Sequence, residues 1–227
     1  MKIKICGLTK VEEAEYLNGA GVDYAGFVFY KKSKRNVSVK KASEIMSHLD
    51  KGIKKVAVCV SPDRYLLEEI QKADFDIIQI HKALSLDVLY EAKLPIWYAF
   101  NVNDNEELAK KQQFFGDLPK ELSKKVKGIL VDSVDFGSGK TFDWRAANGK
   151  TGIKASANVT NSDGKKTKSI FKGREFILAG GLNAGNVATG IKLFDPDIVD
   201  VSSGVEGPIG KSETLIYEFV DAVRNAK

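Results

Sequence analysis

Residues 54–81 read KKVAVCVSPDRYLLEEIQKADFDIIQIH: a β-rich run at 54–60, a turn, a helical stripe carrying Leu66, Leu67 and Ile70, and a second β-rich run at 76–81. A strand, a one-faced helix and another strand form the repeating unit of a parallel sheet. Working outward, the same kind of run occurs at 2–6 (KIKIC), 24–29 (YAGFVF), 95–102 (PIWYAFNV), 126–133 (VKGILVDS), 176–181 (FILAGG) and 198–205 (IVDVSSGV). The eighth run is followed by a stripe of Leu215, Ile216, Phe219, Val220 and Val223. Strand then helix, eight times, predicts a (β/α)₈ TIM barrel, an α/β fold of eight parallel strands with surrounding helices. An open doubly wound sheet is the rival, but its ligand site follows the first strand as a Gly-rich turn, and here that turn is Cys6-Gly7-Leu8-Thr9.

The runs start about every 20 to 30 residues, except for the 50 between Val126 and Phe176. Within that gap residues 148–169, NGKTGIKASANVTNSDGKKTKS, lack helical periodicity and read as a loop insertion between strands 6 and 7. We expect a surface excursion, with a lid over the barrel top as the rival. The whole chain, 1–227, is expected to be one domain.

Composition narrows the partners. Lys and Arg exceed Asp and Glu by 35 to 30, a surplus too small and too dispersed for a nucleic-acid stripe. No apolar run approaches a membrane span, and the chain enters KIKIC without a signal peptide. Two cysteines, Cys6 and Cys59, make neither a disulfide framework nor a zinc motif. A cytoplasmic protein with a small-molecule partner is expected, with no metal, nucleic acid or membrane. Monomer and homodimer both remain open.

In such a barrel, chemistry sits where strands end and βα loops begin. The polar residues there are Cys6, the loop from Tyr30 to Ser38, His81, Asn101, Asp132, Gly180 and Gly181, and Ser202 and Ser203. Alternation puts Lys4 on the face of Cys6, one layer beneath it, and gives Asp200 the parity to meet Lys4 where the last strand closes on the first. Small residues in 179–183 and in 202–206, including Gly204, offer backbone amides to a phosphate. Residues 137–141, GSGKT, mimic a nucleotide loop, but Val134 stands where that loop requires glycine. His48 reads as surface, Cys59 as core, and His81 either as a substrate contact or as a loop anchor.

These stretches resemble the phosphoribosylanthranilate isomerase family. The resemblance rests on KICGLT (4–9), GFVFY (26–30) with Lys32, Ser33 and Arg35, QIH (79–81), LVDS (130–133), GSGKTFDW (137–144), LAGGLN (178–183) and DVSSGVE (200–206). They span nearly the whole chain in the family's order. The resemblance implies an Amadori rearrangement without a cofactor: N-(5-phosphoribosyl)anthranilate becomes 1-(o-carboxyphenylamino)-1-deoxyribulose 5-phosphate, the third step from chorismate in tryptophan biosynthesis. It assigns Asp132 as general acid, Cys6 as general base and Arg35 to the anthranilate carboxylate. The phosphate falls to the loops holding Gly180, Gly181, Ser202, Ser203 and Gly204. Asp143 and Trp144 would anchor their loop.

Departures from the family are Lys82 where a glycine is usual, Lys31 and Lys34 where a proline is usual, and Phe136 for a glycine. Residues 145–173 are also longer than the usual helix, and the spacing in Gly207-Pro208-Ile209-Gly210 is altered. Lost prolines predict a looser loop before Arg35. The related histidine-pathway isomerase would carry aspartate in place of Cys6, and a silent phosphate binder would lack the Cys6 and Asp132 pair. Two conditions follow from the chemistry. Cys6 needs a neighbouring cation such as Lys4 or must work at a low thiolate fraction, and Asp132 needs an apolar wall or a nearby anion to stay protonated.

Overall fold

The computed structural model describes residues 1–101, 113–132 and 173–226. The 137–141 decoy, Asp143, Trp144 and the 148–169 insertion lie outside them.

Eight parallel strands close into a barrel in sequence order: β1 Lys2–Cys6, β2 Tyr24–Phe29, β3 Lys54–Val60, β4 Ile77–His81, β5 Ile96–Asn101, β6 Val126–Asp132, β7 Glu175–Leu178 and β8 Ile198–Val201. Closure is made by β1 on β8, with Lys4 opposite Asp200. The helices include α1 Glu12–Ala20, α2 Val39–Met46, α3 Arg64–Lys72, α4 Leu86–Glu91, α5 Lys120–Ser123, α6 Val187–Phe194 and α7 Glu213–Arg224. A short antiparallel hairpin, β9 Glu206–Gly207 with β10 Gly210–Lys211, precedes α7.

Serine or aspartate caps start four of the helices. Ser38, Asp63, Ser85 and Ser212 accept from the amides of Lys41, Leu66, Val88 and Leu215, each satisfying a donor that the first turn leaves open. The stripe read at 215–223 buries Ile216, Phe219, Val220 and Val223 of α7 against the barrel.

Two packed regions result. Between sheet and helices lies the larger core, including Ile5, Leu17, Phe27, Ile45, Leu67 and Phe219. Inside the barrel a second cluster holds Cys6, Tyr24, Val56, Val58, Ile77, Trp97, Ala99, Leu130, Ile177, Ala179 and Ile198. Trp97 fills the interior, its ring edge-on to Tyr24 with centroids 4.9 Å apart. Gly128 leaves that space: a Cβ there would stand 2.4 Å from Trp97 Cδ1.

Two strands are shorter than the sequence runs suggest. β7 ends at Leu178 because Gly180 and Gly181 take φ of 91° and 62°, and β8 ends at Val201 because Ser203–Val205 winds into a 3₁₀ turn. The small residues that extended those runs thus form loops over the barrel mouth. Among the described residues no helix is long and apolar enough to cross a membrane.

Candidate active site

Cys6 is the last residue of β1, and its thiol is buried at the barrel mouth. Gly26 of β2 lies opposite, and a Cβ on Gly26 would come within 2.9 Å of Cys6 Sγ, so the thiol occupies space that glycine leaves open. Two residues below, Lys4 is 0% exposed, and its Nζ donates to Asp200 Oδ2 at 2.8 Å. The pair inferred from strand parity is therefore present. Burial works against the Lys4 charge, but Asp200 and Cys6 outweigh it and hold the ammonium above its ordinary range.

Burial also pushes the Cys6 thiol up, with Asp200 adding to the rise, while Lys4 and Lys211 pull it back. Lys4 thus helps without winning, and of the two conditions set by the sequence the site meets the low thiolate fraction. At the end of β6, Asp132 is pushed up to about 7, first by burial and then by the charge of Asp200, against the pull of Lys4. Wall and anion both act, and this carboxyl can carry a proton near neutrality.

The two glycine loops interlock. A Cβ on Gly204 would stand 1.9 Å from the Leu182 carbonyl oxygen, so the loop after β8 can lie against the loop after β7 only with glycine there. Asn186 braces the latter, donating to the Gly181 carbonyl and accepting from Asn183 N, both at 2.9 Å. Ser202 Oγ donates to the Cys6 carbonyl at 2.9 Å, which joins the loop after β8 to the end of β1. Ser203 opens the 3₁₀ turn that carries Gly204.

Arg35 crosses from the loop after β2 and lies over Gly7, whose φ of 89° and missing Cβ make room for the arginine stem. Its guanidinium forks onto Glu206, Nε to Oε1 and Nη2 to Oε2, and Lys34 Nζ approaches the same carboxylate at 2.9 Å. The turn expected to be loose without proline is pinned by these contacts. It is also pinned by Ser33, which accepts from Arg35 N at 3.1 Å, and by Val37 N donating to the Val28 carbonyl. His81 ends β4, where its Nε2 lies 2.8 Å from Gln79 Nε2.

Contacts thus join Cys6, Lys4, Asp200, Ser202, Glu206 and Arg35, while Asp132 is coupled to them through the Lys4–Asp200 charges. Sequence reasoning missed three members. Lys211 is buried on the hairpin, Gly26 makes room for the thiol, and buried Glu13 of α1 accepts from the amides of Thr9, Lys10 and Lys211. Glu206 stood in a quoted motif without a role.

A closed parallel barrel with a protonatable carboxyl and a thiol at its C-terminal mouth, faced by two interlocked glycine loops, defines a (β/α)₈-barrel enzyme. The chain belongs to the N-(5'-phosphoribosyl)anthranilate isomerase family, whose family model, described as N-(5'phosphoribosyl)anthranilate (PRA) isomerase, matches residues 3–222. It is 36% identical over an alignment of 233 positions to the N-(5'-phosphoribosyl)anthranilate isomerase of Thermoanaerobacter pseudethanolicus, covering 100% of both chains. To that of Streptococcus gordonii it is 36% identical, covering 99% of this chain and 98% of the relative. The crystal structure of the Thermotoga maritima enzyme superposes with a TM-score of 0.77 at 27% identity, covering 99% of this chain and 98% of that one. A phosphoribosyl anthranilate isomerase in complex with reduced 1-(o-carboxyphenylamino)-1-deoxyribulose 5-phosphate superposes with a TM-score of 0.75 at 25% identity over 99% and 98% of the two chains. The activity is accordingly isomerisation of phosphoribosylanthranilate in tryptophan biosynthesis.

Proposed function

We propose that Asp132 is the general acid and Cys6 the general base of this isomerisation, and that Arg35 binds the anthranilate carboxylate. Gly180, Gly181, Ser202, Ser203 and Gly204 cradle the phosphate. The observation that carries the reading is one barrel mouth in which a carboxyl held at about 7 and a buried thiol flank the same Lys4–Asp200 pair. Asp132 gives its proton to the ribose ring oxygen as the bond from C1 to that oxygen breaks, leaving a Schiff base. The Cys6 thiolate then takes the proton from C2, the electron pair moves toward the nitrogen, and the resulting enolamine tautomerises to the ketone. Arg35 keeps guanidinium N–H groups beyond those on Glu206, and these can face a substrate carboxylate.

The site sets an unusual balance. The acid must be protonated although it titrates near 7, and the base must be ionised although its thiol titrates above the ordinary range. Turnover then comes from a minority of molecules, with a broad plateau in kcat/KM that begins near pH 7. The test is conversion of phosphoribosylanthranilate by purified protein, followed by loss of anthranilate fluorescence. Cys6→Ala and Asp132→Asn should each lower kcat by ~10²- to 10⁴-fold with KM little changed. Near wild-type turnover in either variant removes that residue from the mechanism. We further propose that residues 1–227 act as one barrel domain, monomer or homodimer. The Thermotoga maritima relative is described as dimeric, and sedimentation velocity decides between the two states for this chain.

A further inference from the structure

Lys211 has no part in the scheme above, yet its side chain is 1% exposed and its ammonium is engaged on three sides. Nζ donates to the Ser202 carbonyl at 3.0 Å and to Glu206 Oε1 at 3.1 Å, and lies 3.4 Å from Ser202 Oγ. Each contact leads to a different working part. Ser202 belongs to the loop after β8 and donates onward to the Cys6 carbonyl, while Glu206 holds the guanidinium fork of Arg35.

The fold delivers this lysine deliberately. Glu13 accepts from Lys211 N at 2.8 Å and with its other oxygen takes the amides of Thr9 and Lys10, fastening the hairpin to the loop after β1. Gly210, at φ 140°, permits the approach, because a Cβ there would stand 2.6 Å from Glu13 Oε1. A buried ammonium is costly unless its donors are used. Two charged or carbonyl acceptors within 3.1 Å make this one hold its neighbours in place.

We propose that Lys211 is a positioning residue for the isomerisation: from one buried point it orients Arg35 through Glu206, fixes the loop after β8 through Ser202, and places a positive charge beside Cys6. The proposal rests on the assignments of Cys6 and Arg35 made above. Charged groups facing Cys6 are Lys4 on its own strand, Asp200 on β8 and Lys211 on β10, and those facing Lys211 are Glu206, Arg35 and Cys6. Burial outweighs the support of Glu206 and Cys6 and, with Arg35 adding to the fall, holds the Lys211 ammonium below its ordinary range. Lys4, paired with Asp200, and Lys211, paired with Glu206, are the two cations that favour a thiolate at this position.

The test uses the full chain with Lys211→Met and Lys211→Arg. Iodoacetamide alkylation of Cys6 is followed against pH by mass spectrometry, with Cys59, pushed up to about 12 by burial, as the silent internal control. Removing a neighbouring positive charge makes the thiolate harder to form, so K211M should move the alkylation midpoint up by about half a pH unit or more. K211R should restore it. KM for phosphoribosylanthranilate should rise ~10-fold or more in K211M, as expected for loss of a charge-assisted contact that orients Arg35. An unmoved midpoint, an unchanged KM, or a K211R midpoint matching that of K211M overturns the proposal. Should K211M fail to fold, Glu206→Gln decides, since it cuts the ammonium off from Arg35 with a neutral isostere, and an unchanged KM there is equally fatal. Alkylation reports the charge of the thiol whether or not Cys6 is the base, whereas Cys6→Ala turnover tests the base itself, so the two ideas fail separately.

Discussion

Asp132 shows at the scale of one residue how a catalytic setting is paid for in stability. In the unfolded chain its carboxyl titrates near ~3.9, in the folded protein at about 7. Between those values the fold retains a proton that the unfolded chain has released. Wild-type stability therefore falls as pH rises from about 4 to 7, and this contribution falls no further above 7. The full shift would correspond to ~4 kcal/mol, and because the group is partly exposed we expect about 1–3 kcal/mol. Asp132→Asn carries no such penalty, so its stability should exceed that of wild type by a margin absent at pH 4 and complete by pH 8. Urea denaturation at the two pH values measures this, and a margin independent of pH would mean that Asp132 titrates as an ordinary carboxylate.

At the scale of single elements, the turn after β4 is held in a conformation that suits another residue. Lys82 has φ of 62°, where a side chain is strained, and the Tyr98 hydroxyl pins it by donating to its carbonyl at 2.7 Å. Lys82 is exposed and has little packing to lose. Lys82→Gly should relieve ~1–2 kcal/mol of strain and give back part of it as unfolded-chain entropy, for a net gain of about 0.5–1 kcal/mol. A higher urea midpoint at an unchanged m-value is expected, and a lower midpoint would show that the turn is not strained. The departure at Lys82 was visible in the sequence, but its backbone geometry was not. The strands were legible because apolar runs and helical stripes alternate so regularly, and the Lys4–Asp200 pair followed from parity because both residues sit on regular strands. Lys211 was beyond that reasoning: its burial depends on a two-strand hairpin outside the barrel and on Glu13, and neither has a periodic signature. The ends of β7 and β8 were overrun because glycine and serine after an apolar run do not announce where the backbone turns.

For the whole molecule, the decisive seam is the one between β1 and β8. Lys4 and Asp200 meet there buried from solvent, so removing one partner strands the other. Lys4→Met should cost about 3–5 kcal/mol, whereas Lys4→Met with Asp200→Leu should be much nearer wild type in stability, because a buried pair replaced by apolar side chains leaves no uncompensated charge. Denaturation of both variants checks this, and equal losses would place the seam's strength in its backbone ladder. The same seam orders events in time. Lys4 and Asp200 are separated by 196 residues, as are Cys6 and Ser202, and Glu13 and Lys211 by 198. At ~5–20 residues per second, a ribosome makes the thiol roughly 10–40 s before the strand that completes its surroundings. Throughout that interval Cys6 belongs to an unfinished polymer and has no Ser202 on its carbonyl and neither Asp200 nor Lys211 beside it. Catalytic competence therefore arrives all at once, only after β8 and the hairpin that follows it have been made, and the enzyme's own turnover reports that its barrel has been closed.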